Sequence, residues 1–396
     1  MRVAYILGRF PVVSETFVAG EIRAMEALGH EVRIFALGEG DESGRALLGG
    51  LHASVSVMSR EGRARAALRI VAHALARPRR TAAGVVRSAR AGGLGEVKRF
   101  LRALSWAWDP WLSSAQGIHA HFASEPARVA HRLHLATGVP FGVTGHATDL
   151  FPVAPDVGER LKEASWVVTV CEYNRAALVE ALPWIDATRL HVVPCGVDAE
   201  RFRRAPGSPR QAGRVVAVGR LVAKKGFADL VEASRLLSER GLDHQMRICG
   251  DGPLRAELER AIHAAGLDAY VRLLGALDHE AVRDEIERAT VLALPAVIAA
   301  DGDRDSMPLV LKEAMSLEVP VVGTRVAGLP EAIDEHCGRL VAPHDPAALA
   351  AALSELLSLD AEAVGEIGRR GRARVLGEFR IDRLTARFAA VLEHAA

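Results

Sequence analysis

The chain has 396 residues, of which 49% are apolar and 25% charged, and its 50 Lys and Arg residues almost balance its 49 Asp and Glu residues. This length exceeds what one ordinary hydrophobic core organises, so we expect two domains. The near-zero net charge and the 5% aromatic content exclude a general nucleic-acid-binding surface. No stretch approaches the roughly 18 uninterrupted apolar residues of a membrane-spanning helix.

The cysteines and the first residues indicate a compartment. Cys171, Cys195, Cys249 and Cys337 form no Cys-x-x-Cys pair, which is typical of reduced, partly buried thiols in a cytosolic protein. The chain begins with one basic residue and a short apolar run that ends in Gly-Arg, a pattern that favours a β-strand over a signal peptide. We therefore expect a cytoplasmic protein.

The first half of the chain alternates strand and helix patterns. Residues 2–7 form a short apolar run, apolar residues then recur at helical spacing, and a second apolar run follows from Glu31. This β-α-β pattern predicts a parallel sheet. Further strands are predicted at residues 117–122, 140–145, 165–170 and 189–194.

The second half repeats this scheme after a segment that predicts a linker, residues 198–213, where Pro, Gly, Ser and Arg are dense. Short apolar runs separated by amphipathic helices are typical of parallel strands covered on both faces. Strands are predicted at residues 213–219, 244–250, 270–275, 290–295 and 319–324, and terminal helices near 345–357, 361–376 and 380–395.

Residues 60–102 break the pattern because they hold twelve Lys or Arg residues and two acids, Glu61 and Glu96. The sequence WAWDPW follows at 106–111. One interpretation is a solvated, basic helical insertion over about 60–115 whose Trp side chains form a small core of their own. The other is a surface formed by residues 60–111 that contacts anionic lipid or a charged acceptor, with Trp at the level of the interface.

The stretch DGDRDSMPLVLKEAM, residues 301–315, places acids before a predicted helix and Glu313 inside it. Ser306 is suited to cap this helix, and Pro308 to its first turn. Free amides at the helix N-terminus favour an anion such as phosphate, and the Glu313 carboxylate is suited to a vicinal diol such as ribose. Together these features describe a nucleotide. The alternative is a capped surface helix with an ordinary exposed glutamate.

Two stretches partly resemble metal-binding motifs, and neither motif is complete. A calcium loop does not fit, because its sixth position is Ser306 and its twelfth is Lys312. The sequence HAHF at 119–122 offers two histidines without a third ligand nearby, which favours histidines buried in a strand. We expect no metal site.

Cations and small residues follow other predicted strands. Arg220 and Lys225 come after a strand that ends at Gly219, where two cations suit a diphosphate, although a solvated basic turn is the alternative. Gly8 at the end of the first strand lets backbone approach a phosphate closely. His146 follows another strand and is suited to donate to a sugar hydroxyl or a leaving oxygen, with a structural role as the alternative. There is no G-x-S-x-G elbow and no P-loop.

Taken together, these stretches resemble the retaining family-4 glycosyltransferases. The most specific part of the resemblance is the ordered set GRLVAKKGF, CGDGP, DSMPLVLKEAM, PVVGTRVAGLPE and GRLVAPHDP. The segments SETFVAGEIRAMEALGHEV and GHATDLF are similar to the bacterial exopolysaccharide subgroup, which includes colanic-acid-type transferases. The resemblance spans nearly the whole chain and implies an α/β fold of two Rossmann-like, doubly wound parallel-sheet domains that face each other across a cleft, the GT-B architecture.

The resemblance also implies a division of the chain. It gives an N-terminal acceptor domain at residues 1–197, the linker at 198–213 and a nucleotide-sugar domain at 214–375. Residues 376–396 would form a helix that crosses back to the first domain.

Site residues are implied by the family's two acids eight positions apart, here Asp305 and Glu313. Glu313 would hold the donor ribose and Asp305 the donor sugar, although Asp305 is one methylene shorter than the usual glutamate. The implied catalytic residues are His146, Arg220, Lys225, Asp305 and Glu313. The implied donor-binding residues are Gly8, Arg220, Lys225, Leu274, Asp305, Ser306, Met307, Pro308, Leu309, Val310 and Glu313, with the nucleobase near Val271–Leu274.

The implied reaction moves a hexose-type sugar from a nucleoside-diphosphate sugar, with UDP or GDP, to an acceptor hydroxyl with retention of configuration. It needs neither a metal nor a cofactor besides this co-substrate. The implied acceptor is a sugar, a lipid-linked oligosaccharide or a small aglycone, and residues 60–111 would allow peripheral contact with the inner face of the membrane. Glycosylation of a soluble natural product, epimerisation of a nucleotide sugar on the same fold, and a binding protein without catalysis are the alternatives.

Overall fold

The structure is a computed structural model that describes residues 1–151 and 155–395. The chain divides into two compact units. Unit 1 comprises Met1–Val170, Arg175–Val193 and Thr385–Ala396, and unit 2 comprises Cys171–Asn174 and Pro194–Leu384. The expected domain boundaries at residues 197 and 213 and the returning C-terminal helix stay predictions.

Unit 1 contains a seven-stranded parallel sheet with the strand order β3-β2-β1-β4-β5-β6-β7. The strands are β1 (Arg2–Phe10), β2 (Glu31–Glu39), β3 (Ser54–Val57), β4 (Gly117–His121), β5 (Phe141–Gly145), β6 (Trp166–Thr169) and β7 (Leu190–Val192). The helices along this part of the chain are α1 (Thr16–Ala27), α2 (Arg63–Ala76), α3 (Pro78–Ala107), α4 (Pro110–Ser113), α5 (Glu125–Thr137), α6 (Ala147–Leu150), α7 (Pro155–Glu163) and α8 (Glu172–Ala181).

Unit 2 contains a six-stranded parallel sheet with the strand order β10-β9-β8-β11-β12-β13. Its strands are β8 (Arg214–Val218), β9 (Gln245–Cys249), β10 (Val271–Gly275), β11 (Val291–Leu294), β12 (Val321–Thr324) and β13 (Gly338–Val341). The helices that follow are α9 (Phe227–Glu239), α10 (Arg255–Ala264), α11 (His279–Glu287), α12 (Leu309–Ser316), α13 (Leu329–Ala332), α14 (Pro346–Leu357), α15 (Ala361–Arg374) and α16 (Ile381–Ala395).

The prediction of an α/β fold with two doubly wound parallel sheets is confirmed. In each unit the strand order reverses between the first and the fourth strand, that is, between β1 and β4 and between β8 and β11. Ligands of such sheets bind beyond the carboxyl ends of the strands at this switch point. All residues of β4, β5, β11 and β12 are buried, which explains the absence of Asp, Glu, Lys and Arg from these four strands.

Two strands were not predicted, and one was predicted too short. The edge strands β3 and β13 have four residues each and are largely exposed or half-buried, so their apolar pattern is weak. The first strand continues to Phe10, so Gly8 lies within it and not at its end. Beyond Ile6, β1 pairs only with β2, because its ladder with β4 stops there.

The basic insertion is helical, as predicted, but its Trp side chains do not form a separate core. Trp106 and Phe100 are buried in the main core of unit 1, and the Trp106 ring lies 5.3 Å from the ring of Phe35 on β2. Helix α3 is interrupted at Gly93, whose φ is 63°, and the Phe100 ring packs where a side chain at Gly84 would lie. This loss of helical geometry separates two halves of α3 that pack on each other. Among the described residues, no helix has both the length and the apolar character to cross a membrane.

A tryptophan that lies flat across neighbouring strands organises the sheet of unit 1. Trp166 on β6 is buried, and its indole lies where a Cβ at Gly142 on β5 would be only 2.2 Å away. The absence of a side chain at Gly142 lets the indole reach across β5, where its Nε1 donates to Nδ1 of His119 on β4 at 3.1 Å. Gly142 is therefore required by packing and not by backbone conformation.

Replacing Gly142 with Ala should destabilise the protein by about 1–3 kcal/mol, because the added methyl group displaces the indole from a filled core. Urea unfolding followed by circular dichroism measures this change. Gly95→Ala is the matched control, because Gly95 has an ordinary φ and open space around its Cα. Equal stability of the two variants would contradict the packing argument.

Candidate functional site

In unit 2 the loops after β8 and β11 meet through an ion pair. Lys225 lies in a 3-10 turn after β8, and its Nζ lies 2.6 Å from Oδ2 of Asp305. Lys224 lies 3.6 Å from the other oxygen of Asp305 and 3.0 Å from Asp303. Lys225, the residue predicted to bind the donor diphosphate, and Asp305, the residue predicted to bind the donor sugar, are therefore in direct contact. No helix or strand is formed between residues 295 and 308, so the acids at 301–303 lie in a loop, as predicted.

Glycines let the backbone of this region pack closely. A Cβ at Gly219 would lie 2.9 Å from Cε of Lys225, so the lysine side chain runs directly over the end of β8. A Cβ at Gly250, which follows β9 and has a φ of 145°, would lie 1.9 Å from the carbonyl oxygen of Gly219. Only glycine allows this approach of the two strand ends.

Arg220 follows Gly219 and is exposed. Its guanidinium makes no ion pair or hydrogen bond with any residue that the structure describes. It therefore supplies an uncompensated positive charge beyond the carboxyl end of β8, and its role as a diphosphate ligand stays a prediction.

Helix α12 begins at Leu309, one residue later than predicted, and the expected cap is wrong. Pro308 is the N-cap residue, with φ −56° and ψ 135°, and no side chain caps the helix. Ser306 instead exchanges hydrogen bonds of 2.7 and 3.0 Å with the side chain of Asn174. The amides of Leu309 and Val310 in the first turn are thus uncapped by side chains, and helix N-termini of this kind favour anions.

Glu313 lies inside α12 and is buried, so it is not the ordinary exposed glutamate of the alternative interpretation. Its carboxylate makes no hydrogen bond with any residue in the described part of the chain. Burial raises the pKa of Glu313 to about 7, and the positive charges of Arg201 and Lys312 only partly oppose this rise. Lys312 points elsewhere, since its Nζ donates to the carbonyl oxygen of Cys195 at 2.5 Å.

The segment predicted to hold the nucleobase, Val271–Leu274, belongs to β10, an edge strand of the unit 2 sheet. Val271 is buried, and Leu274 near the carboxyl end is half-buried. The next residue, Gly275, has a φ of 75° and accepts a hydrogen bond of 2.8 Å from the amide of Gly250. Leu274 thus lies at the same edge of the sheet as the ends of β8 and β9.

Of the two predicted site residues of unit 1, Gly8 lies within β1, and His146 lies just beyond the carboxyl end of β5. A Cβ at Gly8 would contact only Pro126, at 3.9 Å, so close packing does not require glycine there. His146 follows β5 directly and is the N-cap residue of α6, where its backbone amide donates to the Asp149 carboxylate at 2.9 Å. Burial, with a contribution from His121, holds the pKa of His146 well below its usual range, so the ring is neutral near pH 7.

A buried polar cluster adjoins His146 and was not predicted. Nε2 of His146 lies 3.3 Å from Nδ1 of His121 on β4, and Nε2 of His121 lies 3.1 Å from Oε1 of Glu21 on α1. The hydroxyl of Tyr5 donates to the same Glu21 oxygen at 2.9 Å. The expectation that HAHF has no third ligand nearby is therefore wrong, because Glu21 lies beside it. The pairing of His119 and His121 on one strand face was the only sequence signal for this cluster.

The ligand atoms of Glu21, His119 and His121 lie within 4.8 Å of one another, which raises the question of a metal ion. The hydrogen bonds of His119 do not fit one. Its Nδ1 must accept from the indole N–H of Trp166, and its Nε2 lies 3.0 Å from the hydroxyl of Thr144. A metal on Nε2 would require a proton on Nδ1, facing the indole proton. The cluster is therefore a hydrogen-bond network and not a metal centre.

Comparisons with known proteins agree with this fold. Family models described as Glycosyltransferase Family 4 and Glycosyl transferases group 1 match residues 14–201 and 212–359. The putative colanic acid biosynthesis glycosyltransferase WcaL of Salmonella typhimurium is 29% identical over 99% of this chain and 100% of its own length. A GDP-mannose-dependent phosphatidylinositol monomannoside mannosyltransferase of Mycobacterium tuberculosis is 30% identical over 65% of this chain and 70% of its own length.

Among solved structures, Alr3699/HepE of Anabaena in complex with UDP and glucose superposes with a TM-score of 0.75 at 16% identity over the full length of both chains. This likeness concerns the fold. With the family matches across both halves of the sequence, it leads to one conclusion: the chain belongs to the family-4, group 1 glycosyltransferases.

Proposed function

We propose that the protein transfers a hexose-type sugar from a UDP- or GDP-sugar to an acceptor hydroxyl, with retention of configuration, in the assembly of an exopolysaccharide. The pathway is supported by the name of the Salmonella relative, which refers to colanic acid biosynthesis. The donor class is supported by the GDP-mannose dependence of the mycobacterial relative and by the UDP and glucose in the Anabaena complex. A sugar or lipid-linked oligosaccharide is the proposed acceptor.

The contact between Lys225 and Asp305 is the observation that carries this proposal. A pyrophosphate beside the uncapped amides of Leu309 and Val310 would attract Lys225 away from Asp305, and Arg220 adds a second cation. The carboxylate of Asp305 would then be available to accept hydrogen bonds from the sugar hydroxyls. One exchange of partners thus couples the phosphate end of the donor to its sugar end.

The same groups account for the chemistry. Transfer leaves negative charge on the departing diphosphate, and prearranged cations and helix amides stabilise that charge in the transition state. Arg220 and Lys225 supply positive charge at the leaving group, a role that a metal fills in other phosphate chemistry, so we propose a reaction without a required metal. Retention by front-face attack needs no protein nucleophile, and none is assigned.

Glu313 is the proposed ligand of the donor ribose. A buried carboxylate without hydrogen bonds is costly, and its raised pKa reflects that cost. Two ribose hydroxyls would supply the missing donors when the nucleotide binds. The charged Glu313 side chain would therefore destabilise the free protein, and a bound diol would remove that cost.

Residues 60–111 are proposed to contact anionic lipid through α2. Leu68, Val71 and Leu75 follow one another at helical spacing on its exposed side, and Leu68 and Leu75 are 71% and 78% exposed. The acids of residues 60–111 are all paired with arginine: Glu61 with Arg69 at 3.0 Å, Glu96 with two arginines at 2.6 and 2.7 Å, and Asp109 with an arginine of β2 at 3.2 Å. An apolar stripe within a positive field is typical of helices that lie on acidic membranes. Trp106 is buried and takes no part in this surface.

A thermal-shift panel of nucleoside diphosphates and their sugars tests the proposed donor site. A ligand at 100 times its dissociation constant should raise the free energy of unfolding by about 2.7 kcal/mol. Incubation with the stabilising nucleotide sugar, with and without an acceptor, then separates the reactions. If an epimer forms from the donor alone, the protein is a nucleotide-sugar epimerase and not a transferase. If the donor binds but is not consumed, the protein binds nucleotide sugars without catalysis.

Replacing Lys225 with Ala should weaken donor binding by about 10- to 100-fold, because one charged hydrogen bond contributes roughly 1.5–3 kcal/mol. Calorimetric titration with the stabilising nucleotide sugar measures this loss. Lys98→Ala removes an exposed lysine of unit 1 and serves as the control. Unchanged affinity in the Lys225 variant would remove this residue from the site.

Replacing Glu313 with Gln should stabilise the free protein at pH 8 more than at pH 5. The folded-state pKa of about 7 is raised from about 4.5, so the wild-type protein loses stability as the pH rises between these values, by up to about 3 kcal/mol. Gln carries no charge and avoids this loss. Urea unfolding at both pH values measures the difference, with the exposed Glu335→Gln as control.

The same Glu313 variant should lose most of its transfer activity while it remains folded, because an amide is a poorer acceptor for the ribose diol than a carboxylate. Initial rates at saturating acceptor measure this effect. Wild-type turnover in the variant would refute the ribose role and leave the stability prediction unaffected.

Replacing Leu68, Val71 and Leu75 together with Gln should reduce co-sedimentation with phosphatidylglycerol vesicles by at least about 10-fold. Deletion of the insertion is unsuitable, because Phe100 and Trp106 belong to the core of unit 1. The control replaces three other exposed residues of unit 1, Leu28, Leu48 and Val179, with Gln. Equal sedimentation of both triple variants, or equal binding to phosphatidylcholine vesicles, would contradict the proposed lipid surface.

A further inference from the structure

The buried hydrogen bonds around His146 have a direction that its neighbours dictate. Oε1 of the Glu21 carboxylate lies 3.1 Å from Nε2 of His121, and because a carboxylate only accepts, this nitrogen carries the ring proton of a neutral His121. Nδ1 of His121 is then an acceptor, and it faces Nε2 of His146 at 3.3 Å. His146 is therefore the donor in this bond.

The same reasoning determines the state of the His146 ring. Burial keeps this ring neutral, so with its proton on Nε2 its Nδ1 carries none. The Tyr5 hydroxyl also donates to the Glu21 oxygen at the far end. The chain thus begins at His146, passes through His121 and ends at Glu21. Reversing the bond between the two histidines would require a proton on both ring nitrogens of His121.

Packing holds this chain in place. His121 is 1% exposed, and the rings of Phe17 and Phe122 lie 5.0 and 4.6 Å from the His146 ring. Phe122 has a φ of 73°, which is an uncommon and strained conformation for a bulky residue. A strained residue kept against His146 is consistent with a requirement on the position of this ring.

We propose that His121 and Glu21 are positioning residues of the transferase, which hold the His146 ring in one orientation with its proton on Nε2. This inference rests on the proposed function for its catalytic consequence and on hydrogen-bond chemistry for the state of the ring. A neutral ring suits the proposed reaction, because the sugar acquires positive charge as the diphosphate departs and an imidazolium would repel it. The chain also disfavours the tautomer of His146 that carries its proton on Nδ1.

Nitrogen-15 NMR of the full-length protein, labelled in its histidines and free of ligand, tests the ring state directly. The spectrum of wild-type protein should show one His146 species, protonated at Nε2 and unprotonated at Nδ1, with assignment by comparison with His146→Gln. In His121→Phe, which removes the acceptor, the His146 signals should shift towards a mixture of the two tautomers. Tyr5→Phe, a change of similar burial that leaves the chain intact, should not alter them.

Kinetics of the same variants test the consequence for transfer. His121→Phe should lower kcat by about 10- to 100-fold with little change in the KM for the donor, since small displacements of a reacting geometry have effects of this size. His121→Gln carries one acceptor and one donor and should recover most of the loss. A merely structural role would lower stability without this recovery.

The outcomes separate the inference from the proposed function. A wild-type His146 protonated at Nδ1, or a His121→Phe variant with unchanged His146 signals, would overturn the positioning role whatever reaction the protein catalyses. The expected tautomer without any transfer activity in the wild-type protein would overturn the proposed function and leave the hydrogen-bond chain established. The expected tautomer with unchanged kcat in His121→Phe would overturn the catalytic consequence.

Discussion

The ion pair between Lys225 and Asp305 is the contact on which the candidate site of unit 2 depends. It joins the loop after β8 to the loop before α12, and Gly219 makes it possible by leaving room for the lysine side chain over the strand end. In the free protein this pair neutralises charges that a donor would use separately. Binding of a pyrophosphate would therefore be an exchange of partners, in which the desolvation cost of both groups has already been met by the fold.

One buried carboxyl group lies near the switch point of each sheet, and in both cases burial disfavours the charged form. Burial raises the pKa of Glu313 to about 7 in unit 2, and it raises that of Asp149 to about 7 in unit 1. Asp149 is compensated, because its carboxylate accepts the amides of Ala123 and His146 and so joins the ends of β4 and β5. Glu313 has no such compensation among the described residues. Under the proposed function, this difference would separate a structural acid, Asp149, from one that awaits a ligand, Glu313.

In unit 1, hydrogen bonds between strands determine which nitrogen of a histidine ring carries the proton. Gly142 gives room to Trp166, Trp166 donates to His119, and the next inward-facing residue on that strand, His121, is the acceptor for His146. Each hydrogen bond leaves its partner only one remaining role. In the proposed chain, the tautomer of His146 is decided by the bonds of His121 to His146 and to Glu21, with no charge placed on the His146 ring.

The sequence by itself determined the α/β class, most strands and helices, and the positions of Arg220, Lys225, Asp305 and Glu313 along the chain. It could do so because apolar periodicity and residues that follow strand ends are local features. It failed at the edge strands β3 and β13, where short, exposed segments have little apolar pattern, and at the cap of α12. Only the tertiary structure decided which groups meet: Ser306 bonds to Asn174, Lys225 to Asp305 and His121 to Glu21. These partners are far apart in the sequence, and strand order and burial, which no local pattern encodes, bring them together.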